Sequence, residues 1–326
     1  MEHSTQAAFF GQRNEDGPTP LTWANVALAG LLLLVNVMIS SALKLRLEKQ
    51  IVVAGMRCFI QLSVLGLVLK RLFATDNAFV VLGMAGVLGG LAALEVTEWK
   101  AKRTVKGMFW IAFSSIFGSA IVVGLIGAAF AMNFKPLLAA SKFIPVLGML
   151  YGNTMVGVAL GIDSVLAAVD QRRDSIEAML CFGASRWETV LPVVVEAART
   201  AMIPTITSVS ITGLISIPGM MSGQILGGAD VLDAARYQQV IMFMIAASVA
   251  LGVVFASISI AFAVIDRNPK LQLERVRLKS AIGFYIGDKR GNRSSSSGQR
   301  TPISVRSNRS VVRMKVWKST DAQSVA

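Results

Sequence analysis

Apolar stretches long enough to cross a bilayer recur along this sequence of 326 residues. A helix needs about 20 predominantly apolar residues to span a hydrocarbon core about 30 Å thick. Charged residues make up only 16% of the chain, which excludes an ordinary soluble domain. The sequence therefore predicts an all-α, polytopic membrane protein with about seven transmembrane helices. The seven spans are expected at residues 22–43, 51–70, 77–95, 108–130, 143–161, 202–222 and 239–265.

Helix-breaking residues interrupt the fifth and sixth of these stretches. Pro145 and Gly152 fall in the fifth, and Pro204, Gly213 and Pro218 fall in the sixth. A broken helix is tolerated in a membrane only where protein or a water-filled cavity satisfies the freed backbone groups. These two spans are therefore expected to face the interior of the protein.

Basic residues alternate between the predicted loops. The loops after the first, third and fifth spans carry more Lys and Arg than the other loops, and the segment after the seventh span is strongly basic. Loops rich in Lys and Arg stay on the cytoplasmic side of a membrane. The pattern predicts an N-terminus outside, a C-terminus in the cytoplasm, and a cytoplasmic loop between the fifth and sixth spans.

The two ends of the chain differ in composition from the body. Residues 1–20 are a polar N-terminal segment, and residues 21–266 contain all seven apolar stretches. Residues 267–326 are basic and Ser-rich, which is typical of a largely disordered tail. Because this charge directly follows a span, we expect it to attract anionic membrane lipids rather than nucleic acid. A tail that fixes topology and a regulatory tail both fit this pattern.

A polar segment, EAMLCFGASRWETVLP (177–192), lies between the fifth and sixth spans. Ile176, Met179 and Leu180 recur at three- and four-residue spacing, which predicts an amphipathic helix over about 174–190, in which Gly183 allows a turn or a close approach by another backbone. A stiff helix that is attached directly to membrane spans is suited to transmitting force into them. An ordinary amphipathic helix at the membrane interface is the alternative interpretation.

The order Glu177-Ala178, Gly183, Leu191-Pro192 resembles the cytoplasmic coupling loop of ABC-transporter permeases, with a shorter Gly-to-Pro spacing than importers have. Two further strings, Gly152-Asn153-x-Met155 and IPGMMSGQILGG (217–228), are similar to the FetB-type permease family. That family includes bacterial iron-export permeases and plant aluminium-sensitivity permeases. The resemblance covers about residues 24–266, so only the two ends of the chain lie outside it.

The resemblance implies a permease subunit that exports a metal ion, iron-like in its chemistry, or a small metal-linked solute. It also implies a separate ABC-type ATP-binding subunit and a homodimer of permeases. No Gly-x4-Gly-Lys-Ser/Thr phosphate-binding loop occurs in the sequence, so we expect neither ATP hydrolysis nor a cofactor in this chain. The residues expected to couple to the ATPase are Glu177, Ala178, Gly183, Arg186, Leu191 and Pro192.

Polar and sulfur-containing residues inside the spans are the candidates for a transport pathway. Ionisable side chains in a membrane are costly and by default indicate function. Arg57 serves as a fixed charge or as a snorkelling side chain, and Glu95 as its ion-pair partner or as a metal-attracting group. Methionine is a soft metal ligand, but it is also a common core filler. The candidates are Arg57, Gln61, Glu95, Asn153, Met155, Met220, Met221 and Gln224; the metal ligands, if any, are not defined by the sequence.

A second class of protein fits the same topology. Seven spans with an outside N-terminus are also typical of a membrane receptor or signalling protein without an ATPase partner. A membrane-embedded enzyme is disfavoured because His3 is the only histidine and no catalytic constellation is evident. A co-purifying ATP-binding subunit would separate the permease from both alternatives.

Overall fold

A computed structural model describes residues 22–45, 47–72, 77–101, 103–105, 107–264 and 277–278. Within these residues the chain forms nine α-helices. They are α1 (Trp23–Ala42), α2 (Glu48–Leu72), α3 (Ala78–Glu95), α4 (Met108–Ile126), α5 (Ala140–Gln171), α6 (Arg173–Cys181), α7 (Arg186–Ile211), α8 (Gly219–Leu226) and α9 (Val231–Val264). The predicted N-terminal segment 1–20, and the predicted tail 267–326 apart from Arg277 and Leu278, lie outside the described residues.

Seven of these helices are long and apolar enough to cross a membrane, which confirms the predicted class of fold. They are α1 to α5, α7 and α9. Two of them continue into a π-helical turn, α3 through Val96–Lys100 and α4 through Gly127–Ala131. The described strands are two residues long: β1 (Arg103–Thr104) pairs antiparallel with β2 (Arg277–Leu278).

The core of the bundle is built around α5 and α9, which pack against each other and against α4 and α7. Small residues allow this close approach. A Cβ on Gly157 would lie 2.8 Å from Val249, and a Cβ on Gly252 would lie 2.5 Å from Thr154. The Thr154 and Ser248 hydroxyls are buried and hydrogen-bond each other across the helices at 2.9 Å. Close backbone packing and interhelical hydrogen bonds are what hold helices together in lipid.

The first two helices lie at the periphery of the bundle. They pack against each other, with the Trp23 and Phe59 rings 5.9 Å apart. None of the residues in the apolar stretch that makes α2 a membrane-length helix is buried. The α1–α2 pair therefore depends on few contacts with the rest of the protein.

The structure corrects the predicted fifth and sixth spans. α5 runs unbroken through Pro145 and Gly152, and it is the most buried span, as its interior position required. The sixth span was predicted at 202–222, but α7 ends at Ile211 and continues unbroken through Pro204. The apolar residues that follow form a loop because Gly213 adopts a left-handed φ of +86° and Pro218 precedes α8. Apolar content alone does not encode such a turn.

Candidate functional site

The connection between α6 and α7 is a tight turn, so the prediction of one helix over about 174–190 is wrong. Gly183 has a φ of +87°, in the left-handed region that glycine adopts without strain. Its N–H donates to the Leu180 carbonyl at 3.2 Å, and the Ala184 N–H donates to the Met179 carbonyl at 3.0 Å. This pair of hydrogen bonds is a Schellman motif, which ends α6.

The first turn of α7 is fixed by a capping box. The Glu188 N–H donates to the Ser185 hydroxyl oxygen at 3.3 Å, and the Ser185 N–H donates to the Glu188 carboxylate at 2.8 Å. These bonds satisfy backbone donors that a helix start otherwise leaves free. The turn between α6 and α7 is therefore closed by defined hydrogen bonds on both sides.

One face of α6 points away from the bundle, and we call it the outer face. It consists of Asp174, Ala178 and Cys181, all exposed, and continues to Phe182, whose residue surface is 92% exposed. The opposite face is anchored by Ile176, which is buried in the core. Phe182 was not among the predicted site residues, although a bulky aromatic residue directly before a glycine at a chain reversal is visible in the sequence.

Glu177 lies beside the outer face and pairs within its own helix. The Arg173 Nε donates to the Glu177 carboxylate at 2.9 Å. This hydrogen bond and the charge of Glu177 raise the pKa of Arg173 above its ordinary value. Ala178, predicted with Glu177 as a coupling residue, is exposed on the outer face.

Arg186, also predicted to couple to an ATPase, points into the protein. Its guanidinium donates to the Phe262 carbonyl, in the last turn of α9, and lies 4.9 Å from the centroid of the Phe262 ring. The Trp187 ring is 6.0 Å from the same ring. Among the described residues, the buried Nε of Arg186 has no hydrogen-bond partner. The start of α7 is therefore packed against the end of α9 through the contacts of Arg186 and Trp187 with Phe262.

Two ion pairs link the same end of the bundle. Arg172, which follows α5, contacts Glu196 of α7 at 2.6 Å. Arg103 of β1 contacts Asp170 of α5 at 3.2 Å. Leu191 and Pro192, the last two predicted coupling residues, are exposed within α7, and Pro192 does not interrupt that helix. A displacement of the turn would therefore reach α5, α7 and α9 together.

The structure brings Arg57 of α2 and Glu95 of α3 together as an ion pair. Both guanidinium Nη atoms face the carboxylate, with Arg57 Nη1 donating to Glu95 Oε1 at 3.4 Å and Nη2 donating to Oε2. The side chains are 33% and 23% exposed. Gln61, one turn further along α2, is exposed. This contact joins the peripheral α1–α2 pair to the bundle.

The remaining pathway candidates lie on α5 and α8. Asn153 is exposed on α5, and its amide donates to the Met149 carbonyl at 2.8 Å. Met155 of α5 and Met220 of α8 pack against the core. Met221 and Gln224 are half-buried on α8, outside any membrane-length helix, which differs from the predicted sixth span. Within the described residues, no group of three or more His, Cys, Asp or Glu side chains could hold a metal ion.

Seven membrane-length helices define an integral multi-pass membrane protein. Residues 23–265 match the uncharacterised protein family UPF0014. The chain belongs to this family. No solved structure matches the chain.

Three relatives illustrate what the chain is similar to. It is 32% identical to the UPF0014 membrane protein YjkA of Bacillus subtilis, over 73% of this chain and 93% of that protein. It is 32% identical to the probable iron export permease protein FetB of Escherichia coli, over 72% of this chain and 89% of that protein. It is 30% identical to Protein ALUMINUM SENSITIVE 3 of Arabidopsis thaliana, over 67% of this chain and 78% of that protein. The similarity to these relatives supports the conclusion that this chain is a membrane permease.

Proposed function

We propose that this chain is the membrane-spanning permease subunit of an ABC transporter and that it exports a metal ion, iron-like in its chemistry, or a small metal-linked solute. The observation that carries the proposal is the α6–α7 turn. It is exposed at Phe182 and is closed by a Schellman motif at Gly183 and a capping box at Ser185. It continues directly into the membrane-length helix α7 and is joined to α5 through the short helix α6. The similarity to a probable iron export permease supports the direction and the substrate class.

The proposed mechanism uses the turn as a rigid lever. A separate ATP-binding subunit contacts the turn on the cytoplasmic side, with the N-terminus of this chain outside and its C-terminus inside. Closure of that subunit on ATP moves α6 and the first turn of α7. The Arg172–Glu196 ion pair and the Arg186–Phe262 contact carry the movement to α5, α7 and α9. Two copies of the permease then alternate the access of their shared pathway.

In this proposal the pathway candidates divide into two groups. Arg57 and Glu95 form a charged site in which an arriving cation competes with the guanidinium for the carboxylate. Asn153, Met155, Met220 and Met221 supply amide oxygen and thioether groups, which bind metal ions weakly enough to release them. Gln61, one turn from Arg57 on α2, and Gln224, on α8 with Met220 and Met221, add neutral polar groups. Such weak ligands suit a pump, which must release its cargo.

Co-purification followed by transport tests the proposal. The tagged chain is isolated in mild detergent, and the ATP-binding protein that accompanies it is identified and reconstituted with it in vesicles. We expect ATP-dependent movement of Fe²⁺ or a related cation, and loss of the partner from a Glu177→Lys/Gly183→Trp variant. Isolation of the chain without an ATP-binding subunit under every condition would contradict the proposal and favour a receptor or signalling protein.

A further inference from the structure

We infer that Phe182 is an apolar anchor that inserts into a pocket on the ATP-binding subunit, with the outer face of α6 packed around it. This inference rests on the proposed function. The inference assigns binding energy to Phe182, which is not part of the coupling-loop motif formed by Glu177-Ala178 and Gly183. The partner surface that it requires is an apolar pocket with polar groups at its rim, matching Asp174 and Ser185 on this side.

The surroundings of Phe182 distinguish it from other exposed aromatic residues. Phe79 and Phe130 are also highly exposed, but both belong to helical segments long and apolar enough to cross a membrane. Phe182 follows α6, which is outside the seven membrane-length helices, and the nearest charged residues along the chain are Glu177 before it and Arg186 after it. Single exposed apolar side chains are common on protein surfaces. Phe182 differs from them because it is the most exposed large apolar residue among the described ones and lies at the turn proposed to meet the ATP-binding subunit.

The turn holds the backbone around Phe182 in one conformation before any partner binds. The Schellman motif fixes the backbone on both sides of Gly183, and the capping box fixes it from Ser185 onward. Ordering a side chain or loop during association costs affinity, so a preorganised anchor avoids part of that cost. Aromatic side chains that enter pockets dominate the binding energy of many interfaces. Both conditions favour Phe182 as the anchor.

A protein pocket explains the outer face better than a lipid surface does. A helix that lies on a membrane buries a wide apolar face. In α6 the large apolar side chains Ile176, Met179 and Leu180 already pack on the core of the bundle. The outer face offers only Ala178, Cys181 and the single ring of Phe182, and Asp174 lies in line with them. That narrow pattern is typical of one inserted side chain.

The first test measures the affinity between the full-length permease and the ATP-binding subunit that co-purifies with the wild-type chain. Phe182→Ala is expected to weaken binding by at least about 10-fold, and Phe182→Leu by much less, since it keeps an apolar side chain. Phe130→Ala is the matched control, because Phe130 is 85% exposed at the opposite end of the bundle. Equal affinity of wild type and Phe182→Ala would overturn the inference while leaving the proposed function intact. If the wild-type chain binds no ATP-binding subunit, both the inference about Phe182 and the proposed function are contradicted.

A second test uses Cys181, which is adjacent to Phe182 and exposed. The chain has two cysteines, so a Cys58→Ala variant leaves Cys181 as the single thiol. A water-soluble maleimide should modify Cys181 in the permease alone and at least about 10-fold more slowly once the ATP-binding subunit is bound. Protection by phosphatidylcholine–phosphatidylglycerol vesicles without that subunit, and none by the subunit itself, would assign the outer face to lipid and overturn the inference.

Discussion

Exchanging the charges of Arg57 and Glu95 tests whether their contact holds the α1–α2 pair against the bundle. The guanidinium faces both carboxylate oxygens, and about a quarter to a third of each side chain remains exposed. Exposed ion pairs contribute up to about 1 kcal/mol, whereas removing one partner of a buried pair costs about 3–5 kcal/mol. At this intermediate exposure we expect Arg57→Ala or Glu95→Ala to lower the free energy of unfolding by about 2 kcal/mol.

Thermal unfolding in detergent measures this loss. For a chain of 326 residues, 1 kcal/mol corresponds to about 1.5 °C in Tm, so each single substitution should lower Tm by about 3 °C. The double variant Arg57→Glu/Glu95→Arg restores opposite charges and should recover at least about half of that loss. Arg236→Ala is the control, because the Arg236–Asp233 pair is 75% and 72% exposed and should contribute less than about 1 kcal/mol.

The thermodynamic cycle decides the outcome. If the losses from Arg57→Ala and Glu95→Ala simply add in the double alanine variant, the two side chains do not interact in the folded protein. That result would refute the reasoning, since an ion pair predicts that the second substitution costs less than the first. A transport assay on the charge-exchanged variant then separates structure from pathway. Recovered Tm without recovered transport would assign the pair to the substrate route.

Three further substitutions test the turn and the core. Gly183→Ala places a Cβ at a φ of +87°, which costs roughly 1–2 kcal/mol. We expect it to reduce the stimulation of the ATP-binding subunit's ATP hydrolysis by the permease, while membrane insertion remains normal. Unchanged stimulation would contradict a rigid turn. Arg186→Lys keeps the charge but loses the planar group that stacks on Phe262. The number of ions transported per ATP should therefore fall, while the affinity for the ATP-binding subunit stays within about 2-fold of wild type. A complex about 10-fold weaker would show that the Arg186 side chain faces the ATP-binding subunit instead. Gly252→Ala brings a Cβ to 2.5 Å from the Thr154 methyl group and should lower the free energy of unfolding by about 1–3 kcal/mol. Gly148→Ala is the control and should be neutral, because open space surrounds Gly148. Equal effects in thermal unfolding would refute close packing of the helices at Gly252.

The spans were predictable because lipid imposes a continuous apolar length that hydropathy measures directly. The first and fourth stretches, predicted at 22–43 and 108–130, match α1 and α4 with its π-helical turn almost residue for residue. The sixth stretch, predicted at 202–222, begins at Arg186 and ends at Ile211 instead, and the helix runs through both Pro192 and Pro204. Proline does not end a membrane helix when neighbouring groups satisfy the freed carbonyls. Gly213 ends α7 through a backbone angle that hydropathy does not contain.

The break between α6 and α7 was readable from the sequence. Ser185 and Glu188 have the spacing of a capping box and directly precede an apolar run, which indicates a helix start. Gly183, two residues earlier, is the residue expected just past a helix end. Reading 174–190 as one helix merged a stop signal and a start signal into one amphipathic pattern. The local hydrogen-bonding chemistry was a better guide here than the spacing of apolar residues.

The direction in which Arg186 points was not predictable from local sequence, because its contact lies 76 residues away in α9. An arginine beside a tryptophan in a polar segment suggests a surface that meets a partner. In the fold, the last turn of α9 offers a carbonyl and the Phe262 ring at the same place, and the guanidinium satisfies both. The residues predicted as one coupling set therefore lie in two different surroundings. Ala178 is exposed on the outer face, whereas Arg186 points inward to Phe262. Under the proposed function we expect Arg186 to affect transmission rather than binding.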